Sequence, residues 1–433
     1  MNSRRTSTRL PMVIVGVAVC ICGAWMSARE GLAQHLAGLA LITEDNVARN
    51  AASVDANRAV AMGNAVPEAH YARAIVLERT GSSDAIGEYE RAVTLRAHDY
   101  ALWLELGGAR DRLGDTAGAV AAFSESTRLA PFYARPRWQL GNALFRAGRI
   151  KEALGELHLA ARNDLKLALP VLALMWSGLN GNVADVERAF APQSPAMEAA
   201  LARFLVKRGK VSDAMRHFRA AGGISADEQR AMIIDLLAAK DFEAAYEVWS
   251  VNRGNKAPGT AHMDNGGFEE PIAIEERGFG WQLFQNQQGI VVALDPAERR
   301  SGMHSLRVDW SGNGDTLLPI ASQIVLVEPG RRYQLRLAAR GADLVMLGLP
   351  AISIVDASDP AAQSGDYRQS AIGRSQPLPK GTSAWQDFSF DFTTSPATRA
   401  VIVRIHRENC AIHPCPAFGH AWFDDFSLTE LSQ

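Results

Sequence analysis

The middle of the chain repeats at a spacing of 34 residues, and this period constrains the fold more than any other feature of the sequence. The stretches LGGARDRLGDTAGAVAAF (106–123) and LGNALFRAGRIKEALGEL (140–157) align, and Leu106, Gly107, Gly114 and Ala119 are among the identical positions. Ala85 and Tyr89 continue the register one period earlier. Three units in one register predict an all-α solenoid, because each unit buries its apolar face only against its neighbours.

These units resemble the tetratricopeptide repeat, a pair of antiparallel helices. In the unit 100–133 the family pattern is met at six positions, with Arg110 where an aromatic residue is usual: Trp103, Leu106, Gly107, Ala119, Phe123 and Pro131. Weaker units follow at 179–190, 204–218 and 237–249, and residues 29–62 suit a capping unit. We therefore predict a tetratricopeptide-like (TPR-like) solenoid over residues 29–252, with about six helical pairs.

The resemblance implies a scaffold that binds a protein partner in its concave groove. The polar residues expected to face that groove are Arg73, Arg110, Asn142 and Arg146. The alternative is a solvated helix face that binds no ligand. The near balance of 45 Lys and Arg against 47 Asp and Glu gives no reason to expect nucleic acid as a partner.

The N-terminus has the pattern of a membrane anchor. Three arginines within residues 1–9 precede the uncharged run LPMVIVGVAVCICGAWM (10–26), and Cys20 and Cys22 are read as small apolar residues of that run. The positive-inside rule predicts cytoplasmic residues 1–9, a single transmembrane segment at 10–28 in the inner membrane, and a periplasmic or extracytoplasmic remainder. A cleaved signal peptide is the rival interpretation, with a bulky Met26 at position −3 of the nearest cleavage site.

The last third of the chain has a different pattern. Residues 253–264 are rich in Gly, Asn, Pro and Lys and are read as a linker. Seven runs then alternate between apolar and polar residues: 304–310, 322–329, 331–340, 351–356, 386–392, 399–407 and 420–431. They predict an all-β antiparallel sandwich of roughly eight strands over residues 265–433.

Several motifs in this region resemble jelly-roll carbohydrate-binding modules of the galactose-binding-like type. They are NGGFE (265–269), GW (280–281), GMHSLRV (302–308), PGRRYQL (329–335), WQ (385–386) and WFDDFSL (422–428). The resemblance implies a possible polysaccharide ligand, held by an aromatic ring stacked on a sugar. Candidates for stacking are Trp281, Tyr367 and Trp385, whereas Trp310 shares the inward face of Leu306 and is expected in the core.

The same resemblance implies a structural calcium site near the paired termini of the sandwich, with Glu269 and Asp425 as candidate ligands. Carboxylate oxygens suit calcium, which takes six to eight oxygen ligands. The alternative is a pair of solvated or capped carboxylates at strand ends. No cofactor is otherwise expected.

Two cysteines, Cys410 and Cys415, stand close together between the last two predicted strands. In an extracytoplasmic domain such a pair is expected to form a disulfide. A zinc site that adds His413 and His420 is the rival, although its spacing is unlike usual structural zinc sites.

No motif for catalysis is recognisable, and the adjacent Asp424 and Asp425 point to opposite faces of a strand. We therefore expect a membrane-anchored, non-enzymatic scaffold accessory to the synthesis or export of a surface polysaccharide. The alternative is a structural assembly factor whose sandwich has no sugar ligand.

Overall fold

The fold comes from a computed structural model that describes residues 9–42, 49–253, 259–273, 277–284, 289–313, 318–360, 367–410 and 415–432. The chain divides into two compact units, residues Met1–Leu201 and Ala202–Gln433. The first is helical, and the second contains the last helices and all the strands. The division falls within a helix of the predicted solenoid, so the predicted domain boundaries stay predictions.

Fourteen α-helices lie in the described part of the chain. They are α1 (Arg9–Ile42), α2 (Arg49–Met62), α3 (Pro67–Arg79), α4 (Ala85–Leu95), α5 (Tyr100–Arg112), α6 (Thr116–Leu129), α7 (Ala134–Arg146), α8 (Ile150–Asn163), α9 (Ala168–Gly178), α10 (Val183–Phe190), α11 (Pro195–Lys207), α12 (Val211–Ala221), α13 (Ala226–Ala238) and α14 (Phe242–Ser250). The aligned stretches form α5–α6 and α7–α8, which confirms the helical repeat.

Small residues set the distance between the helices of a repeat. Gly107 in α5 lies against Phe123 in α6, and a methyl group added at Gly107 would come within 2.5 Å of that ring. The side chain of Asp115 accepts a hydrogen bond from the Gly118 amide and caps α6. The close approach recurs one period later, where a methyl group at Gly141 in α7 would come within 2.8 Å of Leu157 in α8.

The first helix runs without a break from the predicted anchor into the repeat region. Its 19 uncharged residues between Arg9 and Arg29 span about 28 Å, close to the hydrocarbon thickness of a bilayer. Among the described helices it is long and apolar enough to cross a membrane, a property that signal sequences share. Its last turns are different, since Ala33, Ala37 and Ala40 are buried against α2 and α3.

Ten strands among the described residues form two antiparallel five-stranded sheets. They are β1 (Gln282–Leu283), β2 (Ile290–Asp295), β3 (Ser305–Asn313), β4 (Ala321–Leu326), β5 (Arg332–Met346), β6 (Pro350–Asp356), β7 (Ala371–Arg374), β8 (Gln386–Thr393), β9 (Ala400–Arg407) and β10 (Pro416–Leu431). The orders are β1-β4-β9-β6-β7 and β2-β3-β10-β5-β8. All seven predicted strands are present, and β1, β2 and β7 are additional.

The core of the sandwich fills the space between the two sheets. Trp310 on β3, Tyr333 on β5 and Ile405 on β9 lie in one buried cluster, which confirms the inward position of Trp310. Phe388, Phe390 and Phe392 of β8 are each more buried than the residues between them, as the alternating pattern predicts.

The helix before the sandwich is joined to it by aromatic packing. In the second unit the ring centroids of Tyr246 and Trp249 in α14 lie 5.0 and 5.7 Å from that of the buried Phe279. Part of the predicted linker (254–258) lies outside the described residues. The part that is described contacts β4, because the Ala261 amide donates to the Leu326 carbonyl over 2.7 Å.

The role of Gly107 leads to a matched pair of substitutions. We expect Gly107→Ala to lower the free energy of unfolding by about 1–3 kcal/mol, because the added methyl overlaps Phe123. A methyl group at Gly155 in α8 would meet no atom within 4 Å. We therefore expect Gly155→Ala to raise the free energy of unfolding by about 0.5–1 kcal/mol, since alanine favours the helix. Urea denaturation followed by far-ultraviolet circular dichroism measures both. Equal effects would contradict this packing account.

Candidate functional site

The first half of β10, the central strand of the second sheet, carries aromatic residues on its outer side. On β10 the small residues Ala417 and Ala421 are fully buried in the core. The alternate residues Phe418, His420 and Trp422 therefore project from the outer face of the sheet, because neighbouring side chains on a strand point to opposite sides. This arrangement reverses the usual one, in which the larger residues fill the core.

Gly419 completes the inward row, opposite a bulge in β5. Its φ is +110°, and a methyl group there would come within 2.4 Å of the Asp343 carbonyl oxygen. The pairing of β10 with β5 shifts register between Phe418 and His420. A glycine is required at this position, because only glycine allows the two backbones to approach so closely.

Phe418 is the exposed aromatic of this outer face. It is 48% exposed and lies opposite Ser311 on β3 and Val345 on β5. Val345 is 68% exposed, and Val291 on β2 is 60% exposed on the same side of the sheet. Phe418 and these valines give the face an apolar surface.

Trp422 is held in place by charged neighbours. Its indole N–H donates to Asp295 Oδ2 over 2.9 Å. The guanidinium carbons of Arg307 and Arg340 lie 5.5 and 5.0 Å from the indole centroid, within the range of cation–π attraction. Arg340 in turn bonds to the carboxylate of Glu298. Trp422 is consequently covered by guanidinium groups and fixes the polar side chains around it.

His420 forms a pair with the carboxylate of Asp309 on the neighbouring strand. The His420 Nδ1 and Asp309 Oδ1 atoms are 2.5 Å apart, and Arg307 Nε donates to the same carboxylate oxygen over 2.7 Å. This hydrogen bond with Asp309 is the largest cause of the raised pKa of Arg307. The face therefore combines an open phenyl ring with a row of fixed donors and acceptors. We call Phe418, His420, Trp422, Asp309 and Arg307 the β10 face.

Sequence reasoning missed Phe418 although the signal is present. The segment AFGHAWF (417–423) alternates small and aromatic residues, which indicates an outward aromatic row once the small residues are assigned to the core. The predicted stacking residues are placed differently. Trp281 is wrong as a stacking residue, because it is 2% exposed and its ring packs between Phe268 and Phe426.

The other two aromatic candidates stay predictions. Trp385 lies just before β8 and is half-buried. Tyr367 begins a short 3-10 helix (Tyr367–Ser370), and its side chain lies outside the described part of the chain.

The predicted groove residues all have partners within the first unit. Arg146 bonds to Asp111 over 2.6 Å and Arg110 bonds to Glu90 over 2.7 Å. The Asn142 amide donates to the Trp138 carbonyl, and Arg73 lies 3.7 Å from Glu88.

Arg146 is also part of a regular pattern. It pairs with a residue 35 positions earlier, and Arg112 pairs with Glu78, 34 positions earlier. These arginines therefore link successive repeats, and a role in partner binding stays a prediction.

The two predicted calcium ligands hold a turn between β2 and β3. Both carboxylate oxygens of Glu269 accept hydrogen bonds from the Met303 amide, at 3.0 and 2.8 Å. Asp425 accepts from the Ser301 hydroxyl. The neighbouring Asp424 is fully buried, and burial raises its pKa although the Arg300 and Ser301 amides donate to it.

This set of donors does not fit a calcium site. The amide hydrogens direct positive charge at the oxygens that a cation would need. No group of three or more His, Cys, Asp or Glu suited to a metal occurs among the described residues. His420 is paired with Asp309, and His413 of the zinc alternative lies outside the described residues.

Cys410 and Cys415 form a disulfide bond, with their Cα atoms 5.9 Å apart. Cys415 directly precedes β10 and is 3% exposed, whereas Cys410 is partly exposed. The bond therefore ties the end of β9 to the start of the strand that carries the β10 face.

Comparison with known proteins gives similarity at the level of fold. No family model matches the sequence, and no curated protein matches it. PilF of Pseudomonas aeruginosa is 15% identical over 52% of this chain and 99% of its own, with a TM-score of 0.34. YrrB, described as a TPR protein with an unusual peptide-binding site, is 15% identical over 42% of this chain and 90% of its own, with a TM-score of 0.32.

The β region is similar to a different group of structures. The module TmCBM61, solved in complex with β-1,4-galactotriose, is 14% identical over 40% of this chain and all of its own, with a TM-score of 0.27. These TM-scores are below 0.5. The class of fold is therefore assigned from the paired helices and the two antiparallel sheets of this chain. The chain combines a region of repeated helical pairs with a β-sandwich of two antiparallel sheets.

The environment of Asp295 predicts a dependence of stability on pH. Burial opposes ionisation, but the bonds from Trp422 and from the Ala297 and Glu298 amides, with the charge of Arg307, lower the pKa of Asp295 overall. A carboxyl group whose pKa is lower in the folded state than in the unfolded state stabilises the fold at pH values above its unfolded-state pKa, about 3.9. This contribution is lost as the pH falls through the folded-state pKa.

We therefore expect the wild-type chain to lose more stability between pH 5 and pH 3 than Asp295→Asn. At pH 7 the variant is expected to be less stable by about 1–3 kcal/mol, because an amide group then faces hydrogen-bond donors. Urea denaturation followed by tryptophan fluorescence at each pH measures the difference. Parallel pH profiles for the two proteins would contradict the role of Asp295.

The amide contacts of Glu269 and Asp424 predict that the fold does not depend on calcium. We expect neither excess EDTA nor millimolar calcium to shift the melting temperature of the full chain. Differential scanning calorimetry gives this measurement, with magnesium as the control for ionic effects. A rise in melting temperature with calcium alone would restore the calcium site at Glu269 and Asp425.

Proposed function

We propose that the β-sandwich binds a glycan across the β10 face. The observation that carries this proposal is the outward row of Phe418, His420 and Trp422 on the central strand. If β10 served only the stability of the sandwich, these large rings would be expected in the core, because burying them stabilises the fold. Their outward position is maintained by Gly419, whose φ is +110°, and by two buried alanines.

The chemistry of the face suits a sugar. The apolar face of a pyranose ring packs on an exposed phenyl group such as Phe418. Sugar hydroxyls donate and accept hydrogen bonds, and Asp309, His420 and Arg307 offer both roles within one cluster. These side chains are already held by one another, so little conformational entropy is lost when a ligand binds.

The N-terminal helix supports a location at a membrane. Trp25 lies against Arg29, whose guanidinium carbon is 5.3 Å from the indole centroid, and such pairs are typical of the membrane–water interface. Arg29 also donates to the Ala61 carbonyl of α2 over 3.1 Å. We include in the proposal a single-pass anchor in the inner membrane, with the rest of the chain on the far side.

The TPR-like region is proposed to bind a protein partner. Its repeats are joined by ion pairs and small-residue contacts that leave the scaffold rigid. A membrane-anchored scaffold with a glycan-binding sandwich suits a non-enzymatic accessory role in making or exporting a surface polysaccharide.

A structural assembly factor is the second candidate. The intramolecular partners of the four predicted groove residues favour it, since these side chains serve the packing of the repeats. Under this alternative the sandwich has no sugar ligand.

A single substitution separates the two candidates. We expect Phe418→Ala to reduce retention of the full chain on immobilised polysaccharide from the producing cell by about tenfold, or about 1.4 kcal/mol, because the substitution removes the apolar surface on which a sugar ring packs. Affinity electrophoresis in detergent measures the loss.

Phe132→Ala is the matched control, because Phe132 is 82% exposed in the helical unit. We expect it to leave retention unchanged. Equal retention of wild type and Phe418→Ala would reject the β10 face. No retention of any of the three proteins would favour the assembly factor.

A further inference from the structure

The disulfide bond lies against a buried arginine. Arg407, at the end of β9, is 1% exposed. Its Nη2 atom donates to the Leu347 carbonyl over 2.7 Å and lies 3.0 Å from Cys415 Sγ. Removal from water lowers the pKa of Arg407, which shows how far the guanidinium is desolvated. A buried cation in contact with one sulfur makes the two halves of the disulfide chemically unequal.

The two sulfurs also differ in access. Cys410 is partly exposed, whereas Cys415 is 3% exposed. An external thiolate therefore reaches Cys410 Sγ first. Because attack on one sulfur expels the other, Cys415 is the leaving group, and a leaving thiolate that is stabilised departs faster.

Hydrogen-bond partners for the reduced state are already in place. The Leu347 carbonyl oxygen lies 3.0 Å from Cys410 Sγ and 3.2 Å from Cys415 Sγ, so a Cys410 thiol has an acceptor. A Cys415 thiolate has Arg407 Nη2 as a donor, in a site where charge-assisted hydrogen bonds are strong. Breaking the S–S bond thus leaves neither sulfur without a partner.

We propose that Cys410 and Cys415 form a reducible redox site, at which a dithiol reductant attacks Cys410 and Arg407 stabilises the Cys415 thiolate that leaves. This differs from a purely structural bridge, which is stabilised only in its oxidised form.

The chemical steps balance. A thiolate of the reductant bonds to Cys410 Sγ, the S–S bond breaks, and its electron pair passes to Cys415 Sγ. The second thiolate of the reductant then displaces Cys410, which takes up a proton. The reductant is oxidised to its own disulfide, and this chain gains two electrons.

Other charged groups near the site belong to β7 and β9. Glu408 follows Arg407 and pairs with Arg374 of β7 over 3.8 Å. The His406 ring shares a hydrogen bond with the Arg407 carbonyl over 3.0 Å. Arg407 also donates to the carbonyls of Leu347 and Gly348 in the turn after β5 and to that of Pro416 at the start of β10. Residues 411–414, including His413, lie outside the described residues.

Reduction has a consequence for the strand that follows. Pro416 begins β10, and Phe418 is three residues beyond Cys415. Opening the bond removes a covalent tie between Cys410 and Cys415 at the end of β10 where Phe418 lies. The redox site stands independently of the proposed glycan ligand, since it rests only on contacts among Arg407, Leu347 and the two cysteines.

The test uses the full chain in detergent with Cys20→Ala and Cys22→Ala, so that only the late cysteines absorb as thiolates. Cys410→Ser leaves Cys415 alone, and Cys415→Ser leaves Cys410 alone. Thiolate absorbance at 240 nm is recorded against pH for both. We expect Cys415 to half-ionise at a pH about one unit or more below that of Cys410, because the Arg407 guanidinium donates to Cys415 Sγ. Equal or reversed values would overturn the proposal.

The rate of disulfide reduction gives the second readout. With dithiothreitol as the reductant, we expect Arg407→Met to slow reduction by about tenfold, and Arg407→Lys to slow it less because the charge is kept. Near-ultraviolet circular dichroism checks the fold of each variant. An unchanged rate in folded Arg407→Met would overturn the proposal. If that variant does not fold, the 240 nm titrations of the single-cysteine chains decide alone.

Discussion

The inward packing of Ala417, Gly419 and Ala421 is the constraint on which the candidate site depends. Small residues on the inner side of β10 let the two sheets close over a core built from larger residues of the other strands, such as Trp310 and Tyr333. The same strand is then free to present Phe418, His420 and Trp422 outward. A larger residue at position 419 would collide with the Asp343 carbonyl, so strand path and aromatic row are fixed together.

The polar cluster extends that constraint across three strands. Asp295 on β2, Arg307 on β3 and Arg340 on β5 all converge on Trp422. Each of these charges has a partner of opposite sign, which offsets the cost of holding it half-buried. The face is therefore arranged before any ligand arrives. Arg407 and the disulfide bond hold the beginning of β10 in place.

Much of the fold could be predicted from the sequence because its signals are local. The 34-residue period identified the helix pairs, and alternation identified seven strands. The additional strands β1 and β7 are two and four residues long, too short to show a period, and their pairing with β4 and β6 is a long-range choice. The contact of α14 with Phe279 could not be read from a segment that looked like a linker.

The site was harder to predict, because a local sequence pattern does not indicate which residues a side chain contacts. Trp281 stands beside a glycine in a loop-like stretch, yet its ring packs against Phe426, 145 positions later in the chain. Arg146 looked available for a ligand, and its actual partner is Asp111 in the preceding repeat. Phe418 was not among the predicted stacking residues, which were all tryptophan or tyrosine. The informative feature is the alternation of aromatic with small residues in this segment.

Hydroxyl-radical footprinting of the full chain, with and without polysaccharide from the producing cell, tests the central claim most directly. Oxidation of each aromatic side chain is read by mass spectrometry. The account predicts that Phe418 is oxidised in the free protein and protected in the bound one, while Phe132 reacts equally in both. Protection of other surfaces with Phe418 unchanged would contradict the claim that the β10 face holds the glycan.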